Sequence, residues 1–98
     1  MQSALSQAVV LYLGWGSAPS PRQDQSQLVR QFGVLRGAEL EREVKSLLEQ
    51  VNQIDVDWTI YPLESAGELV RSYLQSSHPD LTDAAVDALV WKFTFDWR

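Results

Sequence analysis

Cysteine is absent from this chain, which removes disulfides, thiolate zinc sites and cysteine nucleophiles together. A thiol-free composition suits a reducing compartment, so the expected location is cytoplasmic. Histidine is nearly absent too: His78 stands alone, just before Pro79. General acid–base work needs a partner for such a residue, and a serine triad needs an orienting acid and a serine around it. The sequence supplies no such constellation, and His78 reads as part of a turn.

Clustered positive charge is also missing. The eight cations, from Arg22 to Arg98, are scattered singly among thirteen acids, for a net −5. Affinity for a phosphate backbone comes mainly from clustered Lys and Arg, so nucleic acid is not an expected partner. The excess acid is too dispersed for mimicry of DNA and mostly serves solubility. Long apolar runs are lacking as well. The longest, AVVLYL from Ala8 to Leu13, is far shorter than the ~20 residues of a membrane span. It resembles the apolar part of a secretory signal, but no Lys or Arg precedes Arg22, so the positive region of such a signal is missing. No membrane association is expected.

What is present is core-forming material. Apolar residues make up 45% of the 98, including Trp15, Trp58, Trp91 and Trp97. That is ample for one globular domain, the expected organisation of residues 1–98. The first segment, Ser3–Leu13, has apolar residues at helical intervals, with Ser3 to cap it and Gly14 to end it. GWGSAPSPRQD (residues 14–24) then collects helix breakers and reads as a loop, with Trp15 folded back onto the core. Asp24 and Gln27 have the spacing of a capping box and open a helix over Gln25–Phe32, which Gly33 stops.

The clearest element is Ala38–Asn52. Leu40, Val44, Leu47, Leu48 and Val51, followed by Ile54, form one apolar stripe, with Glu39, Glu41 and Glu43 in the first turns. Glu41 and Lys45 are spaced to pair on the wet face. A fourth helix is expected over Ala66–Ser76. Ser65 would be its cap, Glu68 would reach back, and Ala66, Leu69, Val70, Tyr73 and Leu74 would lie inward. Thr82 (or Asp80) would cap the last helix.

The end of the chain, WKFTFDWR, alternates like a strand, and so does Ile54–Tyr61. Nothing between Val90 and Trp91 would break the helix begun at Asp83, however: no Gly, Pro, Asn or Asp intervenes. Continued as a helix, Asp83–Asp96 is apolar on two sides. Leu81, Ala85, Leu89 and Phe93 make one stripe, with Val86, Val90 and Trp97 beside it; Ala84, Ala88, Trp91 and Phe95 make the second. Such a helix belongs at the centre of a fold. The expected class is therefore all-α, a bundle of five helices. The alternative is α+β, with an antiparallel ribbon from 54–61 and 91–97, joined in one version by Ala8–Leu13.

Three further patterns bear on function. Asp55 and Asp57 would face the same way in an extended chain, but an EF-hand loop counted from Asp55 places Ile60 where glycine is needed and Ala66 where glutamate is needed. They read as solvated acids, and no metal or cofactor is expected. GWGSAP (residues 14–19) begins like a dinucleotide-binding turn but has Pro19 in place of the third glycine. Trp91, Phe95, Trp97 and Arg98 combine residue types enriched in binding hot spots. The expected function is a non-catalytic module that binds a protein partner or itself through this aromatic face. The alternative is a small-ligand binder or enzyme with a pocket at the 14–24 loop, using Trp15, Arg22 and Asp24.

Overall fold

The computed structural model describes residues 4–16, 18–54, 56, 59–60 and 62–96. Five helices follow one another: α1 (Ala4–Leu13), α2 (Gln25–Phe32), α3 (Val34–Asn52), α4 (Leu63–Ser77) and α5 (Asp83–Asp96). The all-α expectation holds. Residues 91–96 are helical, and no strand occurs among the described residues, so the α+β alternative is not supported. Part of its other half falls outside the description, since Asp55, Asp57, Trp58 and Tyr61 are not among those residues.

The axis of the bundle is α5, which packs against α4 on one flank and α1 on the other, with α3 also in contact. Ala85, Val86, Ala88, Leu89 and Phe93 are all buried. The first apolar stripe is thus covered along most of its length; on the second, Ala88 is buried, Ala84 and Trp91 are half-buried and Phe95 is exposed. Thr82 caps the helix as expected: its Oγ1 accepts the backbone N–H of Ala85 at 3.2 Å. The backbone N–H of Thr82 in turn donates to Ser6 Oγ of α1 at 3.1 Å. Ser6 is fully buried, and this bond fixes the start of the last helix on the first. Arg71 of α4 and Asp87 of α5 close the other flank with an ion pair of 2.6 Å.

Two helices start earlier than the sequence suggests. α3 begins at Val34, directly after Gly33, and not at Ala38. Gly33 ends α2 and precedes α3 with φ +86°, a region that residues with a Cβ adopt only under strain. One glycine therefore makes the whole corner, and Gly37 lies inside α3. The corrected start also moves Glu39, Glu41 and Glu43 beyond the first turn, which contains no acid. α4 begins at Leu63 after Pro62, whose carbonyl accepts the N–H of Ala66 at 3.0 Å. Ser65 is accordingly an interior residue and not the cap. Pro62 suits the boundary, because its ring fixes φ near the helical value and it has no N–H to satisfy. On α4, Val70 and Leu74 are buried as expected, but Leu69 is 37% exposed.

α2 sits closely on α3 because Gly37 has no side chain. A Cβ at residue 37 would stand 3.1 Å from both the carbonyl carbon and oxygen of Leu28. At residue 67, where α4 meets α5, a Cβ would meet only side-chain methyls, of Thr94 at 3.3 Å and Val90 at 3.5 Å. Gly37→Ala therefore has to push two backbones apart. That costs ~1–3 kcal/mol and outweighs the ~1 kcal/mol helix-propensity gain of alanine. Gly67→Ala keeps most of that gain. Thermal melts followed by circular dichroism check this: Gly37→Ala melts lower by about 5 °C or more, and Gly67→Ala within a few degrees of the parent.

Candidate functional site

The 14–24 loop has a structural task that accounts for its composition. The last turn of a helix leaves carbonyls without partners, and here the loop returns to supply them. The N–H of Arg22 reaches the carbonyl of Leu13 at 3.0 Å, and that of Asp24 reaches Tyr12 at 2.9 Å. Gly14 makes the reversal with φ +80°, and a Cβ there would lie 2.8 Å from that of Ala18. Trp15 folds back as expected. It meets Trp91 of α5 with ring centroids 5.1 Å apart and planes tilted by 59°, within the range preferred by aromatic pairs.

Of the residues proposed for a ligand pocket here, Trp15 and Asp24 are engaged in the fold. Trp15 packs on Trp91. Asp24 caps α2, accepting Ser26 N–H at 3.1 Å together with the Ser26 hydroxyl. The Ser26 hydroxyl, more than Arg22, holds its carboxyl below the usual range. Arg22 is exposed and approaches Asp24 only to 3.9 Å, a surface pairing of little energetic weight. Three shallow hollows lie elsewhere: one of about 260 Å³ along Gln7, Val10, Leu11 and Gln31, one on α3 along Arg36, Glu39, Arg42, Glu43 and Ser46, and one beside Gln50, Gln53, Ile54 and Tyr73. None of the three includes Trp15, Arg22 or Asp24.

His78 is the residue that follows α4, and its ring reaches α3. Its Nε2 lies 2.8 Å from Gln50 Oε1, and the Tyr73 hydroxyl donates to the same oxygen at 3.4 Å. The imidazole meets Tyr73 edge-on at 6.5 Å. Gln50 thus ties the ends of α3 and α4 together. No group of three or more His, Asp or Glu among the described residues could hold a metal ion. Among the same residues, no helix is long and apolar enough to cross a membrane.

Of the aromatic face predicted for partner binding, Trp91 is half-buried against Trp15, and Phe95 is 42% exposed. Trp97 and Arg98 lie outside the described residues. Lys92 pairs with Asp96 along the same last turns. More exposed apolar residues stand at another place: Val34 at 70% and Leu35 at 83%, at the α2–α3 corner. The late start assigned to α3 hid them, because it placed both residues in a loop.

Glu41 does not take the role its spacing suggests. No ion pair joins it to Lys45 among those of the described residues. Its carboxylate instead lies near the Tyr12 phenol of α1. Burial first, and then the nearby Glu41 charge, push the Tyr12 phenol from 10.0 up to about 12.

Comparison with known protein families, curated proteins and solved structures gives no match to this chain.

Two predictions follow from these contacts. In the unfolded chain the Tyr12 phenol ionises near pH 10, but the folded chain retains that proton to about pH 12. Its contribution to stability is therefore complete below pH 10 and declines as pH rises toward 12. Chemical denaturation at several alkaline pH values should show that decline, with a shallower one for Tyr12→Phe. For the loop, Trp15→Ala should remove ~2–4 kcal/mol by stripping Trp91 of its cover. Arg22→Ala should leave the denaturation midpoint unchanged.

Proposed function

We propose that this chain is a non-catalytic protein–protein interaction module, working in the cytoplasm, whose contact surface is the C-terminal end of α5. The supporting observation is the course of one stripe along that helix. Ala88 is buried and Trp91 half-buried, but Phe95 exposes 42% of its surface. A large aromatic beside half-buried neighbours is the arrangement found at interface hot spots. Trp97 and Arg98, the next aromatic and cationic residues in the sequence, would extend the surface. The partner is a second copy of the chain or another protein; nucleic acid is a poor match for a chain of net −5.

Site-specific crosslinking tests this reading. A photoreactive phenylalanine analogue at position 95 should give one discrete adduct, whereas the same group at Gln75, exposed on α4, should give none. If the chain self-associates, sedimentation at micromolar concentration should show a dimer that Phe95→Ala dissociates. A strict monomer with no discrete adduct at position 95 would overturn the proposal.

A further inference from the structure

A single residue separates α2 from α3. Gly33 holds φ +86° and ψ 170°, a part of backbone space that glycine alone occupies readily. Nothing lies within 4 Å of the place its Cβ would take, so the backbone angle, and no crowding, reserves the position for glycine. Helical hydrogen bonding already reaches this residue from both sides. The Gly33 N–H donates to the Val29 carbonyl at 2.9 Å, and the Gly33 carbonyl accepts the Gly37 N–H at 2.8 Å. Both are the i to i−4 links of an α-helix. Across the corner, three such links are missing among the described residues: from the N–H groups of Val34, Leu35 and Arg36 to the carbonyls of Arg30, Gln31 and Phe32. No proline stands between residues 25 and 52. Rotation at Gly33 would therefore fuse α2 and α3 into one helix over 25–52, ~42 Å long.

A chain straightened in this way cannot stay folded alone. Leu28, the buried residue of α2, lies on Gly37, where an added Cβ would stand 3.1 Å from the Leu28 carbonyl carbon. In a continuous helix the nine residues between these positions hold them ~13.5 Å apart. α1 leaves together with α2, because the loop joining them returns the N–H groups of Arg22 and Asp24 to the carbonyls of Leu13 and Tyr12. The departing pair forfeits its packing on α3 and α5. A second copy, opened at the same residue, presents those two helices bare, and every lost contact can be remade between chains.

We propose that the chain exchanges its α1–α2 unit with a second copy of itself, with Gly33 as the hinge, to form a two-fold swapped dimer. The closed monomer and the dimer share their packing and differ at the hinge. The three added helical links per chain favour the dimer, and the freedom lost on association favours the monomer, so concentration selects between them. Short hinges of this kind are where such exchange occurs. The dimer makes no use of Phe95 and is independent of the α5 surface proposed above.

Two substitutions separate the forms in opposite directions. Gly33→Ala is strained at φ +86° and favoured over glycine inside a helix. Val34→Pro fits the closed form, because Val34 is the first residue of α3 and is 70% exposed, but it interrupts the fused helix. Size-exclusion chromatography with light scattering, after the full chain is refolded over a range of concentrations, reads the dimer. Gly33→Ala should raise the association constant about a hundredfold over the parent, tenfold for each of the two hinges. Adding Val34→Pro should return it to a monomer that is helical by circular dichroism. Adding Val34→Ala, which removes the same side chain but continues the helix, should leave the dimer intact, and so should adding Phe95→Ala. Gly33→Ala that stays monomeric, or unfolds at every concentration, overturns the proposal. So does a dimer that persists with Val34→Pro, one lost with Val34→Ala as a surface contact would be, or one lost with Phe95→Ala, which would belong to the end of α5.

Discussion

The structure depends on covering both apolar flanks of α5 at once. A helix with one greasy stripe can lie on the edge of a fold, but one with two must be enclosed. α1 and α4 do this, and the polar contacts on each flank fix their position. Ser6 holds the Thr82 backbone on the α1 side, and Arg71 meets Asp87 on the α4 side. The stacking of Trp15 on Trp91 extends the cover toward the end of the helix, and the small Gly67 lets α4 approach Val90 and Thr94. Removing either neighbour would leave a second hydrophobic face in water, a burden of several large side chains at ~1.5–3 kcal/mol each.

The short α2 is held differently. It contributes a single buried residue, Leu28, and relies on a close backbone approach to Gly37 and on a glycine turn at residue 33. This economical corner has a consequence at the surface. A helix that restarts one residue after the previous one ends has no loop in which to hide side chains, so Val34 and Leu35 are carried outward. The same early start keeps acid out of the first turn of α3. The exposed apolar residues thus have separate physical origins: Phe95 stands at the end of an enclosed helix, Val34 and Leu35 at a tight turn.

Much of this was readable from residue order because it is governed by local chemistry. The helical state of residues 91–96 follows from the lack of any breaker after Val90, despite an alternating pattern that mimics a strand. Asp24, Gly33 and Thr82 act at the helix ends where their types predict. The misplaced starts share one cause. Gly37 and Ser65 look like terminators or caps in isolation, but packing on Leu28 and the fixed geometry of Pro62 override them. Long-range polar partners left no trace at all. Ser6 with Thr82, Gln50 with His78 and Tyr12 with Glu41 are distant in sequence, and the spacing of Glu41 to Lys45 pointed to a nearer partner that the fold does not use. For the aromatic end of α5, residue type indicated a surface, yet only the packing distinguishes half-buried Trp91 from exposed Phe95.

The bond from Ser6 to Thr82 joins positions 76 residues apart, which bears on how the molecule comes into being. A ribosome releases the chain from its amino end, at about 5–20 residues per second. α1 therefore waits several seconds for α5, one of the helices packed against it, and α4 also precedes its principal neighbour. During that interval the growing polypeptide has its outer helices but not its centrepiece. Assembly consequently waits for α5, and these helices are most open to sticking and to proteases before α5 has left the exit tunnel.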